Sequence, residues 1–216
     1  MARTSFSRRG ALLTLATGMF SASTAGRAEE RIEPQPTDGS RTYVIFQGGI
    51  NPQTISQLFS RITQISTAEI YLAISSNGGE VMPGIAGYNF LKSLPRTIVT
   101  HNIGNVDSIA NAVFLAGARR FAAAHSTFTF HGISRNVGQN ATLSTSILQE
   151  YLQGNLADER KISDIIKERT KLPAERVDAF FHEGRTLSAS EALEGGIVES
   201  IAELSIPKGA PVVVLP

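Results

Sequence analysis

Ile74-Ser-Ser-Asn-Gly-Gly-Glu-Val81 is where a β-rich apolar run gives way to a helical one. Upstream, Glu69 to Ile74 reads as a strand, and downstream Val81, Ile85, Tyr88 and Leu91 recur at helical spacing. The Gly78-Gly79 pair between them lets the backbone turn sharply and brings its N–H groups close to whatever lies opposite. N–H groups at a helix start can hold a developing oxyanion. Taken alone, the stretch reads first as a tight strand-to-helix turn with no ligand.

The same alternation extends in both directions. Thr42-Tyr-Val-Ile-Phe46 is an uncharged, buried strand, and Asn51 caps a helix carrying Ile55, Leu58, Phe59, Ile62 and Ile65 on one stripe. Beyond Pro95, Thr97 to Thr100 forms a short strand, and a helix of small residues follows Asp107 with Ile109, Val113 and Leu115. Arg119 to Ala122 and Thr127 to Phe130 are short strands. Ala141 to Thr170 reads as one long helix, with Gly154 as a possible break. Pro173 opens a helix through Phe181, and Ser188 with Glu191 three residues on forms a capping box. Ile197 to Ala202 is the last strand, and the tail beyond it is ambiguous. Repeated strand–helix alternation predicts an α/β protein.

Composition narrows the function classes. The chain has 216 residues, 42% hydrophobic and 18% charged, enough for one domain with a real core. Its formal charge of +1 gives no electrostatic reason to expect nucleic acid as a partner. The absence of Cys removes disulfides, zinc–thiolate sites and thiol nucleophiles. His101, His125 and His182 lack metal-ligand spacing and read as packing or surface residues. Walker and GxG-type patterns are absent, so no metal and no cofactor is expected.

The N-terminus has the layout of an export signal. Arg3, Arg8 and Arg9 precede an apolar stretch from Gly10 to Phe20, and mostly small residues run from Ser21 to Ala28. Ser7-Arg8-Arg9 partly matches a twin-arginine signal. Residues 1–28 are therefore read as a signal, 29–41 as a linker, 42–205 as the folded domain and 206–216 as a tail. A periplasmic or otherwise exported location is expected, with a cytoplasmic one as the alternative.

Three segments could carry chemistry. The Gly78-Gly79 turn is one. In Gly104-Asn-Val-Asp-Ser108-Ile-Ala-Asn-Ala, a serine stands at a helix start, where it is a cap unless a base takes its proton. In Thr127-Phe-Thr-Phe-His131-Gly-Ile-Ser, a histidine ends an apolar strand, where it could be such a base.

In order and spacing, these segments resemble the proteolytic subunit of the Clp protease. Ser75-Ser-Asn-Gly-Gly-Glu-Val81 is similar to its glycine loop, Gly104 to Ala110 to its nucleophile segment and Phe130-His131-Gly132 to its histidine segment. Leu187-Ser-Ala-Ser-Glu-Ala-Leu-Glu-Gly-Gly-Ile-Val-Glu199 resembles its C-terminal signature and is the most specific match. The resemblance spans about residues 42–202. It implies a ClpP/crotonase-like α/β fold, a stack of β-β-α units with a protruding helical handle after His131. It also implies a ring-shaped homo-oligomer that hydrolyses peptides or unfolded proteins. Ser108 would be the nucleophile, His131 the general base, and the N–H groups of Gly79 and Ile109 the oxyanion hole.

The chain departs from that pattern. Gly184 falls where the family carries the Asp that orients the histidine, which leaves the neighbouring Glu183 as the candidate third member. Asp107 replaces a small apolar residue beside Ser108, and Asn77 replaces a proline before the glycine pair. An exported enzyme would work without an ATPase partner, because ATP is absent there. The rival readings are a catalytically weak or inactive binding or scaffold protein on the same fold, and acyl-CoA chemistry of the crotonase type.

Overall fold

A computed structural model describes residues 40–138 and 142–215. The expected signal, residues 1–28, lies outside the described residues, as does most of the expected linker. The described chain runs β1 (Arg41–Gln47), α1 (Pro52–Gln64), β2 (Glu69–Ser76), α2 (Val81–Ser93), β3 (Thr97–Asp107), α3 (Ala110–Leu115), β4 (Arg119–Ala122) and β5 (Thr127–Phe130). It continues through α4 (Thr145–Arg169), α5 (Ala174–Glu183), β6 (Arg185–Ser188), α6 (Ala189–Glu194), β7 (Ser200–Ile201) and β8 (Val212–Leu215). The α/β class is as expected.

The strands lie in one sheet of order β6-β5-β3-β2-β1-β8, with β4 beside β3 and β7 beside β4. β5 and β6 are antiparallel, and the other described pairs are parallel. β3 is the pivot. Its residues Val99 to Asn102 pair with β4, and Asn105 to Asp107 pair with β5. Ile74 faces Asn102 and Ser76 faces Val106, so two residues of advance on β2 meet four on β3. The fully buried Asn102 holds this change of neighbour, donating to the Thr127 carbonyl at 2.7 Å and accepting from the Gly104 N–H at 3.0 Å.

One face of the sheet and the helices enclose the main core, with Val44, Leu58, Leu72, Phe114, Phe128 and Ile166 fully buried. Each such side chain contributes about 1.5–3 kcal/mol through burial. The opposite face carries a small cluster of Tyr43, Tyr71, Val99 and Phe121, against which Leu204 and Ala210 of the tail pack.

Helix starts follow the expected chemistry. Asn51 accepts from the N–H groups of Gln53 and Thr54, both at 2.9 Å, and Thr54 returns a bond to the Asn51 N–H. Ser188 and Glu191 form the expected capping box.

Four boundaries differ from the sequence reading. β3 runs on to Asp107 because Asn105 to Asp107 pair with β5, and Asn102 and Asn105 find side-chain partners. α4 starts at Thr145, capped by Ser144, and passes through Gly154 unbroken. A Cβ at Gly154 would stand 2.8 Å from Arg135 Nη2, so this glycine makes room for the arginine. The last strand shrinks to Ser200–Ile201, and Arg185–Ser188, of which only Ser188 was given a role, as a cap, forms an edge strand. The ambiguous tail supplies β8, which pairs with β1. Among the described residues, no helix is long and apolar enough to cross a membrane.

Candidate active site

Ser108 stands at the end of β3 with φ +54°, and it is the only non-glycine residue with positive φ among the described residues. That conformation costs a side chain roughly 1–3 kcal/mol and persists only where neighbours impose it. Two neighbours do so. The Ser108 N–H donates to the Thr129 carbonyl of β5 at 2.8 Å. The Asn111 side chain, fully buried in α3, donates to the carbonyls of Ser108 at 3.1 Å and Thr129 at 2.9 Å. The result is a strand-to-helix elbow that leaves the serine half-buried at the surface.

The glycine turn packs directly on this elbow. A Cβ at Gly78 would stand 2.6 Å from the Asp107 carbonyl oxygen and 2.8 Å from Ser108 Cβ. Ile50 clamps the turn from the other side, donating to the Gly78 carbonyl at 2.7 Å and accepting from the Glu80 N–H at 2.8 Å. Gly79 lies between these two bonds at φ +150°, and a Cβ there would meet the Ile50 carbonyl oxygen at 2.1 Å. Neither the Gly79 N–H nor the Ile109 N–H donates to a backbone acceptor among the described residues. Two unclaimed donors therefore flank Ser108, one from each loop.

His131 follows β5 by one residue and is exposed. It lies two residues beyond Thr129, about 7 Å along an extended chain, and Thr129 is itself bonded to Ser108. The His131 Nδ1 lies 2.7 Å from the Gly132 carbonyl oxygen. A carbonyl only accepts, so Nδ1 is the donor of this bond, and the neutral ring in that tautomer carries its lone pair on Nε2. That is the tautomer a general base requires.

The structure does not join Glu183 to His131. Glu183 ends α5, is exposed, and lines a shallow cleft with Arg176, Ala179, Phe180, Gly184 and Arg185. Gly184 at φ +67° then turns the chain into β6, where Arg185 pairs with Phe130. The position next to His131 across that pair is thus filled by a residue with no side chain. Asp178 is committed elsewhere, to Ser163 Oγ at 3.1 Å and Lys167 Nζ at 2.6 Å. The Lys167 bond holds its carboxyl below the usual range.

Two parts of the site were not assigned from the sequence. Asn111 is the one amide in a helix otherwise made of apolar residues, and its type and place alone suggest no more than that it could face the site. Ile50 gave no signal, because its part is played entirely by its backbone.

A serine at positive φ, two N–H groups without a backbone acceptor and a histidine just past the adjoining strand are the kinds of group a serine hydrolase requires. A family model described as Clp protease matches residues 43–205. The chain belongs to the Clp protease family. It is 28% identical over 170 residues to the ATP-dependent Clp protease proteolytic subunit 2 of Corynebacterium diphtheriae, covering 76% of this chain and 83% of that one. It is 27% identical over 178 residues to the proteolytic subunit 3 of Rhodococcus jostii, covering 78% and 86%. Among solved structures, a ClpP1 variant from Listeria monocytogenes superposes with a TM-score of 0.65 at 24% identity, over 76% of this chain and 92% of that one.

Proposed function

We propose that this protein is a serine-type peptidase that opens peptides or unfolded proteins through an acyl-enzyme on Ser108. His131 Nε2 takes the Ser108 proton as Oγ attacks the scissile carbonyl, then returns it to the leaving amine. Water enters by the same route, and the acyl group leaves as an acid. The N–H groups of Gly79 and Ile109 receive the oxyanion. The observation that carries this reading is the Ser108 elbow, where a strained serine stands between two unclaimed donors.

The catalytic group we propose is a Ser–His pair without an acid. The Gly132 carbonyl orients the ring but brings no negative charge to stabilise an imidazolium, so turnover is slow for the class. A peptide substrate suits the extended segment after His131, whose Ile133 N–H and carbonyl are held by Glu159 and Asn155 of α4.

We further propose a homo-oligomeric ring. In support, Leu148, Leu152 and Leu156 recur every four residues on α4 and stay exposed, as expected of a helix covered in an assembly. The N-terminal pattern supports export, and an exported ring would act alone on short or unfolded chains. Cell fractionation and N-terminal sequencing of the purified protein test that part.

The mechanism is tested by treating the purified protein with a fluorophosphonate beside Ser108→Ala. Labelling of the parent and its loss in Ser108→Ala are expected. A folded parent that does not label would sink the catalytic reading and favour a binding module on the same fold.

A further inference from the structure

The proposed chemistry uses none of Ser75, Asn77, Asn105 and Asp107, yet these four are joined beside it. Asn105 is the hub. Its Nδ2 donates to Asn77 Oδ1 and to Asp107 Oδ2, both at 2.6 Å, and its Oδ1 accepts from Ser75 Oγ at 3.0 Å. Both amide protons are therefore spent, one on each side. Gly104 makes room for the arrangement, since a Cβ there would stand 2.9 Å from Ser75 Oγ.

The two acceptors lie on different loops. Asn77 immediately precedes the Gly78-Gly79 turn, and Asp107 immediately precedes Ser108. One donor comes from Gly79 and the other from Ile109, so a single amide spans the loops that carry the two free N–H groups. Among the described residues Asp107 has no ion pair, and its Oδ1 is buried without a hydrogen-bond partner. Its carboxylate is thus held by Asn105 alone.

We propose that Asn105 is a positioning residue that sets the separation of the Gly79 and Ile109 N–H groups, with Asp107 and Asn77 as its two anchors. This rests on the serine-peptidase reading of the same site. Asp107, which looks adverse as a negative charge beside an oxyanion, then serves as the acceptor that ties the nucleophile loop to the glycine turn. A misplacement of about 1 Å at such a site costs about 100-fold in rate.

The test uses the full chain and three variants: Asn105→Asp, Asp107→Asn, and a swap carrying both. Asn105→Asp sets two carboxylates face to face with no donor between them. In the swap, the new amide at 107 donates to the new carboxylate at 105, and the Asn77 amide turns to donate as well. Two readouts are followed, saturation kinetics of fluorophosphonate labelling and hydrogen exchange of the peptide spanning residues 77–80.

Asn105→Asp should lower the maximal labelling rate by about 100-fold and leave the half-saturating probe concentration within about threefold. Exchange of the 77–80 amides should rise by about tenfold or more. The swap should return both to within about tenfold of the parent, a coupling that separate surface effects would not produce. Unchanged labelling and exchange in Asn105→Asp would overturn the proposal, as would a swap no better than that single variant. If the parent does not label, the peptidase reading falls and the positioning role falls with it. Hydrogen exchange would then still show whether the network holds the loop in a protein without that chemistry.

Discussion

The side-chain amide of Asn111 holds Ser108 and Thr129 together, donating to the first carbonyl at 3.1 Å and to the second at 2.9 Å. One buried residue of α3 thereby ties the positive-φ elbow to β5, the strand that His131 follows. Asn111→Leu is nearly isosteric but cannot donate. It should destabilise the fold by about 1–3 kcal/mol through the two buried hydrogen bonds it removes, since the Ser108 and Thr129 carbonyls each keep only a backbone donor. Labelling of Ser108 should fall by more than about tenfold even where the protein is fully folded. Unfolding midpoints and labelling rates measured together check this, and a loss of stability with unchanged labelling would contradict it.

Gly79→Ala probes the turn. The new Cβ would be driven into the Ile50 carbonyl, 2.1 Å away at the observed geometry, from a φ of +150° that side chains rarely adopt. The turn has to move, and the Gly79 N–H moves with it. Loss of one oxyanion donor costs about 10²–10³-fold in rate, so hydrolysis of an activated ester should drop by that order. Gly138→Ala is the control, because a Cβ there meets nothing within 4 Å, and it should retain parental activity.

Glu183→Gln tests whether an acid completes the site. Nδ1 of His131 is already bonded to the Gly132 carbonyl, and Glu183 faces a cleft that it shares with Arg176 and Arg185. Removing its charge should therefore change the labelling rate by less than about threefold, whereas loss of a true orienting acid costs about 10⁴-fold. A large loss would show that Glu183 reaches the imidazole in the working enzyme.

How much of this was legible in the sequence depended on whether a residue's partner was local. Asn51 and Ser188 were read as caps because a cap and the N–H groups that donate to it lie within four residues. β3 was read only as far as Thr100 because His101, Asn102, Asn105 and Asp107 look like the end of a strand. Three of them bond to distant partners, Tyr71 for His101, the Thr127 carbonyl for Asn102, and Ser75 and Asn77 for Asn105, which in turn holds Asp107. β6 is a strand only because β5 lies beside it. Within the site, the Gly78-Gly79 turn, Ser108 and His131 could be singled out by residue type and by family resemblance. The separation of Glu183 from the imidazole could not, since it depends on where α5 ends and how Gly184 turns the chain.

His101 should make the stability of the fold sensitive to acid. It is fully buried between Tyr71, whose hydroxyl lies 2.8 Å from Nδ1, and Phe121. Burial pushes its pKa down to about 4, opposed by the Ala202 backbone and the Glu203 carboxylate. An unfolded histidine titrates near 6.5, so between about pH 6.5 and 4 the unfolded chain binds more protons than the native one. Stability is then full above that window and is lost as pH falls through it. Between pH 7 and 5 this single group should remove about 2 kcal/mol. His101→Gln stays neutral in both states and should lose correspondingly less. Urea unfolding of both proteins at pH 7 and pH 5 measures the difference. Parallel shifts in the two midpoints would mean that the acid response comes from other groups and that the packing of Leu204 and Ala210 over this cluster does not depend on a neutral imidazole.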